Sequence, residues 1–215
     1  MHQHSSLWLA VSPRHRNRAN FVMKINYSKS LLSLCLLVFL PNLAFAHIVP
    51  GTAHGFHDGF IHPLTGWDHF LAMIAVGLWA AQCGGRKLWL IPLSFIGALL
   101  LGGILGVTGV YMPGAELAIA ISVLALGVLV ATKTRFTPSL SMAVVGLFAL
   151  FHGYAHGHEM PMAASALPFS IGFISSTALL HGVGIMAGLG FQRRPDVVRW
   201  AGAVIAAASV CFFVY

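Results

Sequence analysis

The hydrophobic positions of this 215-residue chain fall into long unbroken runs rather than alternating or one-sided stripes. After a polar, basic stretch over 1–22 and a short apolar run at Leu31–Leu40, six apolar segments follow, at about 66–83, 87–110, 114–131, 137–157, 165–190 and 197–215. Each is near the ~20 residues that carry an α-helix across a ~30 Å hydrocarbon core. The pattern predicts an all-α, polytopic membrane protein with a six-helix transmembrane domain over 66–215. Composition agrees: 58% hydrophobic and 8% charged residues leave too little polar surface to cover a soluble globule.

The segment before the spans reads as a leader. Met23 is the expected initiator, with 1–22 an upstream extension. Lys24 and Lys29 then form a charged start, Leu31–Leu40 a short apolar centre and Ala44-Phe45-Ala46 a small-residue cleavage site, so 23–46 describes a secretory signal peptide. Cleavage makes His47 the mature N-terminus. The alternative, an uncleaved first helix, needs a longer apolar run than Leu31–Leu40 offers. Residues 47–65 carry His54, His57, Asp58 and His62 among glycines and hold no run able to cross a bilayer, which predicts an outer-face segment.

Charge sets the orientation. The formal net charge is +7, but Arg14, Arg16, Arg18, Lys24 and Lys29 precede the first apolar run and all five acids follow it. The remainder, seven basic residues against five acidic, is +2, which removes a nucleic-acid reading. Arg86 and Lys87 fall between the first two spans, Lys133 and Arg135 between the third and fourth, and Arg193, Arg194 and Arg199 in or beside the fifth connection. Cytoplasmic loops carry the Lys and Arg excess, so both mature termini are expected on the periplasmic side of a bacterial inner membrane. Cys35, Cys83 and Cys211 are too few and scattered for a disulfide framework or a thiolate zinc site. Gly102-x-x-x-Gly106 and Gly184-x-x-x-Gly188 predict close helix packing in the second and fifth spans.

Against this apolar background two clusters stand out. The stretch His62 to His69, HPLTGWDH, puts Asp68 and His69 in the first turn of the first span. The fourth span ends in FHGYAHGHE, where His152 and His156 are four apart and Glu159 follows on the same face. The first span runs inward and the fourth outward, so both clusters are expected at one depth near the outer face. Imidazole and carboxylate without thiolate suit nickel, cobalt, zinc or copper(II). Asp68 serves as a ligand or as the partner that orients His69. His181, within the fifth span, is a candidate second station for the ion or a proton acceptor, with a hydrogen bond to a neighbouring helix as the plainer role. Met73, Met160 and Met162 are more naturally packing than ligands.

At these residues the chain resembles the HupE/UreJ family of nickel permeases: HPLTGWDHFLAMIAVGLWA is similar to its first signature and FHGYAHGHE to its second. The likeness covers the chain from about His47 to its end. It implies uptake of nickel, or in some members cobalt, across the bacterial inner membrane to supply hydrogenase or urease. Carried over by position, His62, Asp68 and His69 match the first motif, and His152, His156 and Glu159 the second. With His47 as the mature N-terminus and His181 within the fifth span added, the expected metal set is His47, His62, Asp68, His69, His152, His156, Glu159 and His181. Beyond the transported ion no cofactor is expected; the other partners are the lipid bilayer and, left open, a second copy of the chain.

The chain holds no G-x-x-x-x-G-K-[ST] loop, so the reading is a secondary permease rather than a nucleotide-driven pump. Signature motifs in the first and fourth spans, three spans apart and opposite in direction, suggest a 3+3 inverted repeat with the site between the halves. The competing readings are an intramembrane zinc hydrolase, for which no H-E-x-x-H is present, a haem-binding cytochrome using paired histidines, and a periplasm-facing metal sensor or donor without transport.

Overall fold

The computed structural model describes residues 55–159 and 166–213, all within one compact unit. The expected extension, signal peptide, His47, His54, Met160 and Met162 lie outside the described residues. The described residues form α1 (Phe56–Thr65), α2 (Trp67–Cys83), α3 (Lys87–Val107), α4 (Ala115–Thr132), α5 (Pro138–Glu159), α6 (Ala166–Gly190) and α7 (Pro195–Ser209), the last continued by a 3₁₀ turn at Val210–Phe213. No strand occurs among them. Five segments, α3 to α6 and α7 together with its 3₁₀ turn, are long and apolar enough to cross a membrane, and α1 with α2 makes a sixth candidate bent by 80°. The protein is multi-pass.

The centre of the bundle is α2. From Leu71 to Ala81 every residue except Ile74 is buried, as expected for a helix that is apolar all round. It packs against α3, α4, α6 and α7. The outer helices show the opposite pattern, with Trp89, Leu93, Ile104, Met186 and Trp200 exposed on the bundle surface where lipid tails solvate them.

Three close helix pairs hold the bundle, and in each a glycine lets one backbone rest on another. In α3–α5 a Cβ on Gly102 would lie 2.1 Å from the Leu150 carbonyl oxygen, and one on Gly153 1.9 Å from that of Leu99. In α2–α6, Gly77 faces the His181 carbonyl at 2.3 Å and Gly184 that of Ile74 at 2.4 Å by the same measure. Gly127 and Gly202 make the α4–α7 contact. Gly102 and Gly184, each the first glycine of a motif expected to pack closely, thus have backbone partners, while the matching pair Gly153 and Gly157 lies hidden among the histidines of FHGYAHGHE.

The two ends of the bundle differ chemically. At one end Trp79 Nε1 donates to the Thr134 carbonyl at 2.7 Å, Gln82 Nε2 to Val130 at 3.0 Å, Lys87 Nζ to Phe136 at 2.9 Å and Arg199 Nε to Ala131 at 3.0 Å. Four side chains from α2, α3 and α7 thereby anchor the end of α4 and its connection to α5. The opposite end holds the histidines. Cys83 is buried and Cys211 exposed, and both are free.

Residues 56–65, within the stretch 47–65 that the sequence reading placed in an outer-face segment, form α1. This short helix docks on α6 through two facing glycines: a Cβ on Gly59 would lie 2.0 Å from the Phe169 carbonyl oxygen, and one on Gly172 2.1 Å from that of Phe56.

Candidate metal site

The site is built at the break between α1 and α2. Pro63 has no N–H to continue the α1 ladder, and Gly66 leaves helical geometry at φ −77° and ψ 107°. Its N–H still bonds to the His62 carbonyl at 3.0 Å, and its own carbonyl accepts from Phe70 N at 2.8 Å, so α1 ends and α2 begins on one residue. In a continuous helix, His62 and His69 would stand about 10.5 Å apart along the axis. The 80° bend brings their ring centroids to 5.7 Å.

Asp68 fixes the next ring. Its Oδ1 accepts from His69 Nδ1 at 2.7 Å and from the His69 backbone N–H at 2.8 Å. A carboxylate only accepts, so the proton of neutral His69 sits on Nδ1 and its lone pair on Nε2. That nitrogen faces His156 Nε2 from α5. Two opposed imidazole nitrogens require a proton or a cation between them. Gly66 lies against this pair: a Cβ there would meet Asp68 Oδ1 at 3.2 Å and His69 Nδ1 at 3.3 Å.

His62, His69 and His156 each offer one nitrogen, and these three atoms lie within 4.8 Å of one another. Nitrogens sharing one ion at ~2.0–2.1 Å each sit roughly 3 Å apart, so small ring movements close the set around a cation. Phe173 of α6 borders all three rings, at centroid distances of 6.0, 6.3 and 4.6 Å, and Phe169 covers His62 at 6.3 Å.

His152, fully buried one turn before His156, has its ring 4.9 Å from that of His69. Ser122 of α4 determines which of its nitrogens is free. Ser122 Oγ donates its single proton to the Ile119 carbonyl at 2.6 Å, so its 2.8 Å contact with His152 Nε2 is one in which the imidazole N–H donates. The lone pair of His152 is left on Nδ1, which is buried and has no partner among the described residues. His181 is also buried, and the ring of Phe95 from α3 lies against both it and His152, at 5.1 and 5.9 Å respectively.

The structure thus joins His62, Asp68, His69, His152 and His156 at one end of the bundle and sets His181 apart. Glu159 is the last residue of α5, and its side chain lies outside the described residues. His57 is exposed beside Asp58 and stands apart from the cluster. Met73 is fully buried in the core. Sequence reasoning missed Ser122, Phe95, Phe169 and Phe173. A signal existed for two of them, since Phe169, Phe173, Thr177 and His181 recur every four residues along one row of α6.

With this geometry in view, comparison with known proteins gives one answer. Residues 34–212 match the family described as HupE / UreJ protein. The chain belongs to the HupE/UreJ family. It is 41% identical over 192 residues to Protein HupE of Rhizobium leguminosarum bv. viciae, covering 88% of this chain and 100% of that relative. No solved structure matches the chain. The HupE/UreJ family is associated with nickel and cobalt uptake for hydrogenase or urease, and the histidine cluster found here lies on both of the motifs that carry the resemblance.

Proposed function

We propose that this protein is a secondary permease that carries a divalent transition-metal cation, nickel foremost, across the bacterial inner membrane into the cytoplasm. The observation that carries the reading is the His62–His69–His156 cluster, assembled on a broken helix inside an apolar bundle. Discontinuous helices at an intramembrane polar site are a recurrent device of transporters, because the break frees backbone groups and turns side chains inward. The ion is collected by His47, His62, Asp68, His69, His152, His156 and Glu159 and passed inward by way of His181. Asp68, already held by His69, acts by orienting that ring and supplying negative charge.

The basic end of the bundle faces the cytoplasm by the positive-inside rule, with both mature termini periplasmic. No nucleotide-binding loop is present in the chain, so an ion gradient, the membrane potential, proton exchange or a partner protein drives entry. Helix pairing supports the inverted repeat: exchanging α2–α4 with α5–α7 turns the α2–α6 pair into α5–α3 and maps α4–α7 onto itself. A zinc hydrolase would use Glu159 or Asp68 to activate water, and it fits less well with Asp68, which is engaged with His69.

The test is uptake of radioactive nickel in cells lacking their own nickel transporters, with cobalt and zinc as competitors. Asp68→Ala and His152→Ala should abolish uptake at membrane levels matching the intact protein. Absence of uptake above background for any metal would overturn the reading.

A further inference from the structure

His181 is only 2% exposed, and neither ring nitrogen has a partner among the described residues. Whichever tautomer it adopts, a neutral imidazole has one N–H to give and one lone pair to fill, and leaving both unmet inside an apolar bundle is costly. On the same helix Ser176 and Thr177 are fully buried, and their hydroxyls also lack partners. Thr177 precedes His181 by four residues and therefore shares its face. By contrast, Ser175, which points away from the interior, returns its hydroxyl to the Ile171 carbonyl at 2.7 Å in the ordinary helical way. The interior hydroxyls are free to serve something else.

The location gives this polar group a purpose. Phe173, on the same row of α6, borders the histidine cluster, and His181 follows eight residues later, about 12 Å further along the helix. Phe95, fully buried, has its ring against both His152 and His181.

We propose that His181, with the hydroxyl of Thr177, is a second and weaker binding station for the same class of divalent cation, with the ring of Phe95 lying against both this station and His152. The proposal rests on the permease reading and deepens it. One imidazole nitrogen and one neutral hydroxyl oxygen, completed by water carried with the ion, hold a cation more loosely than three imidazoles near a carboxylate. That ordering favours release towards the basic end.

The test is equilibrium dialysis of the purified full-length protein in lipid nanodiscs against cobalt(II), with the visible spectrum of bound cobalt reporting its ligands. The intact protein should bind two equivalents of different affinity. His181→Ala should lose the weaker equivalent and leave the tighter dissociation constant unchanged, whereas His156→Ala should lose the tighter one. Thr177→Val, equal in shape, should weaken only the loose site, by about tenfold. Thermal unfolding of each variant separates lost ligands from lost folding. Saturation at one equivalent that His181→Ala leaves untouched would overturn the inner station while leaving the outer site standing. Two equivalents retained in His181→Ala would also overturn it, and no binding by the intact protein would overturn both readings.

Discussion

Ser122→Ala tests whether the orientation of His152 matters. Ser122 is fully buried on α4, gives its proton to Ile119 and receives that of His152 Nε2 at 2.8 Å. Removing the hydroxyl leaves a buried N–H without an acceptor, a penalty of about 1–3 kcal/mol. In the ion-free protein nothing then holds the proton on Nε2 and the lone pair on Nδ1, and the imidazole is free to change tautomer or turn. Cation binding must then restore the orientation, so the loss appears in affinity. Partners that orient metal-binding histidines typically contribute 10–100-fold in affinity or activity, equivalent to roughly 1.4–2.8 kcal/mol. The expected result is a 10–100-fold rise in the nickel concentration for half-maximal uptake, with unchanged protein level and recovery in Ser122→Thr, which keeps the hydroxyl. Half-saturation in Ser122→Ala within twofold of the intact protein would refute the orienting role.

Further substitutions probe the site and the bundle separately. Gly66→Ala is compatible with the backbone at φ −77°, but its Cβ presses on Asp68 and His69; nickel uptake should fall several-fold at unchanged membrane level, as measured by initial-rate assays with quantified protein. Asp68→Asn keeps an oxygen for His69 Nδ1–H while removing the charge, so its uptake should lie between those of the intact protein and Asp68→Ala; equal loss in both would show that the charge alone matters. Gly153→Ala would place a Cβ 1.9 Å from the Leu99 carbonyl oxygen and force α3 and α5 apart, whereas Gly97→Ala meets nothing within 4 Å. The first should lower the thermal midpoint in detergent sharply and reduce the folded protein recovered, and the second should leave both near their starting values.

Much of the fold is legible because a bilayer imposes strict demands on sequence. The expected segment 66–83 is α2 at Trp67–Cys83, 114–131 is α4 at Ala115–Thr132, and 87–110 contains α3 at Lys87–Val107. Length and hydropathy decide such elements almost alone. Pairing of the two histidine clusters was legible too, since opposite helix directions place His69 and His156 at one level. Helix α1 was not legible, because what holds its ten residues is a pair of backbone contacts to α6, with Gly172 supplying half of the fit from more than a hundred residues away. The position of His62 depends on that docking and on the bend at Gly66. Ser122 and Phe95 look in the sequence like ordinary members of apolar helices. Only their neighbours in space, His152 for one and both His152 and His181 for the other, reveal a role.

Transport itself is tested most directly with the purified full-length protein in sealed liposomes carrying an internal metal-sensitive dye, with nickel added outside and an inside-negative potential imposed. The intact protein should admit nickel in a saturable manner, and His156→Ala, reconstituted at equal density, should match empty liposomes. Tight nickel binding by the intact protein without any entry under potential or proton gradient of either sign would contradict the permease account and point to a sensor or donor.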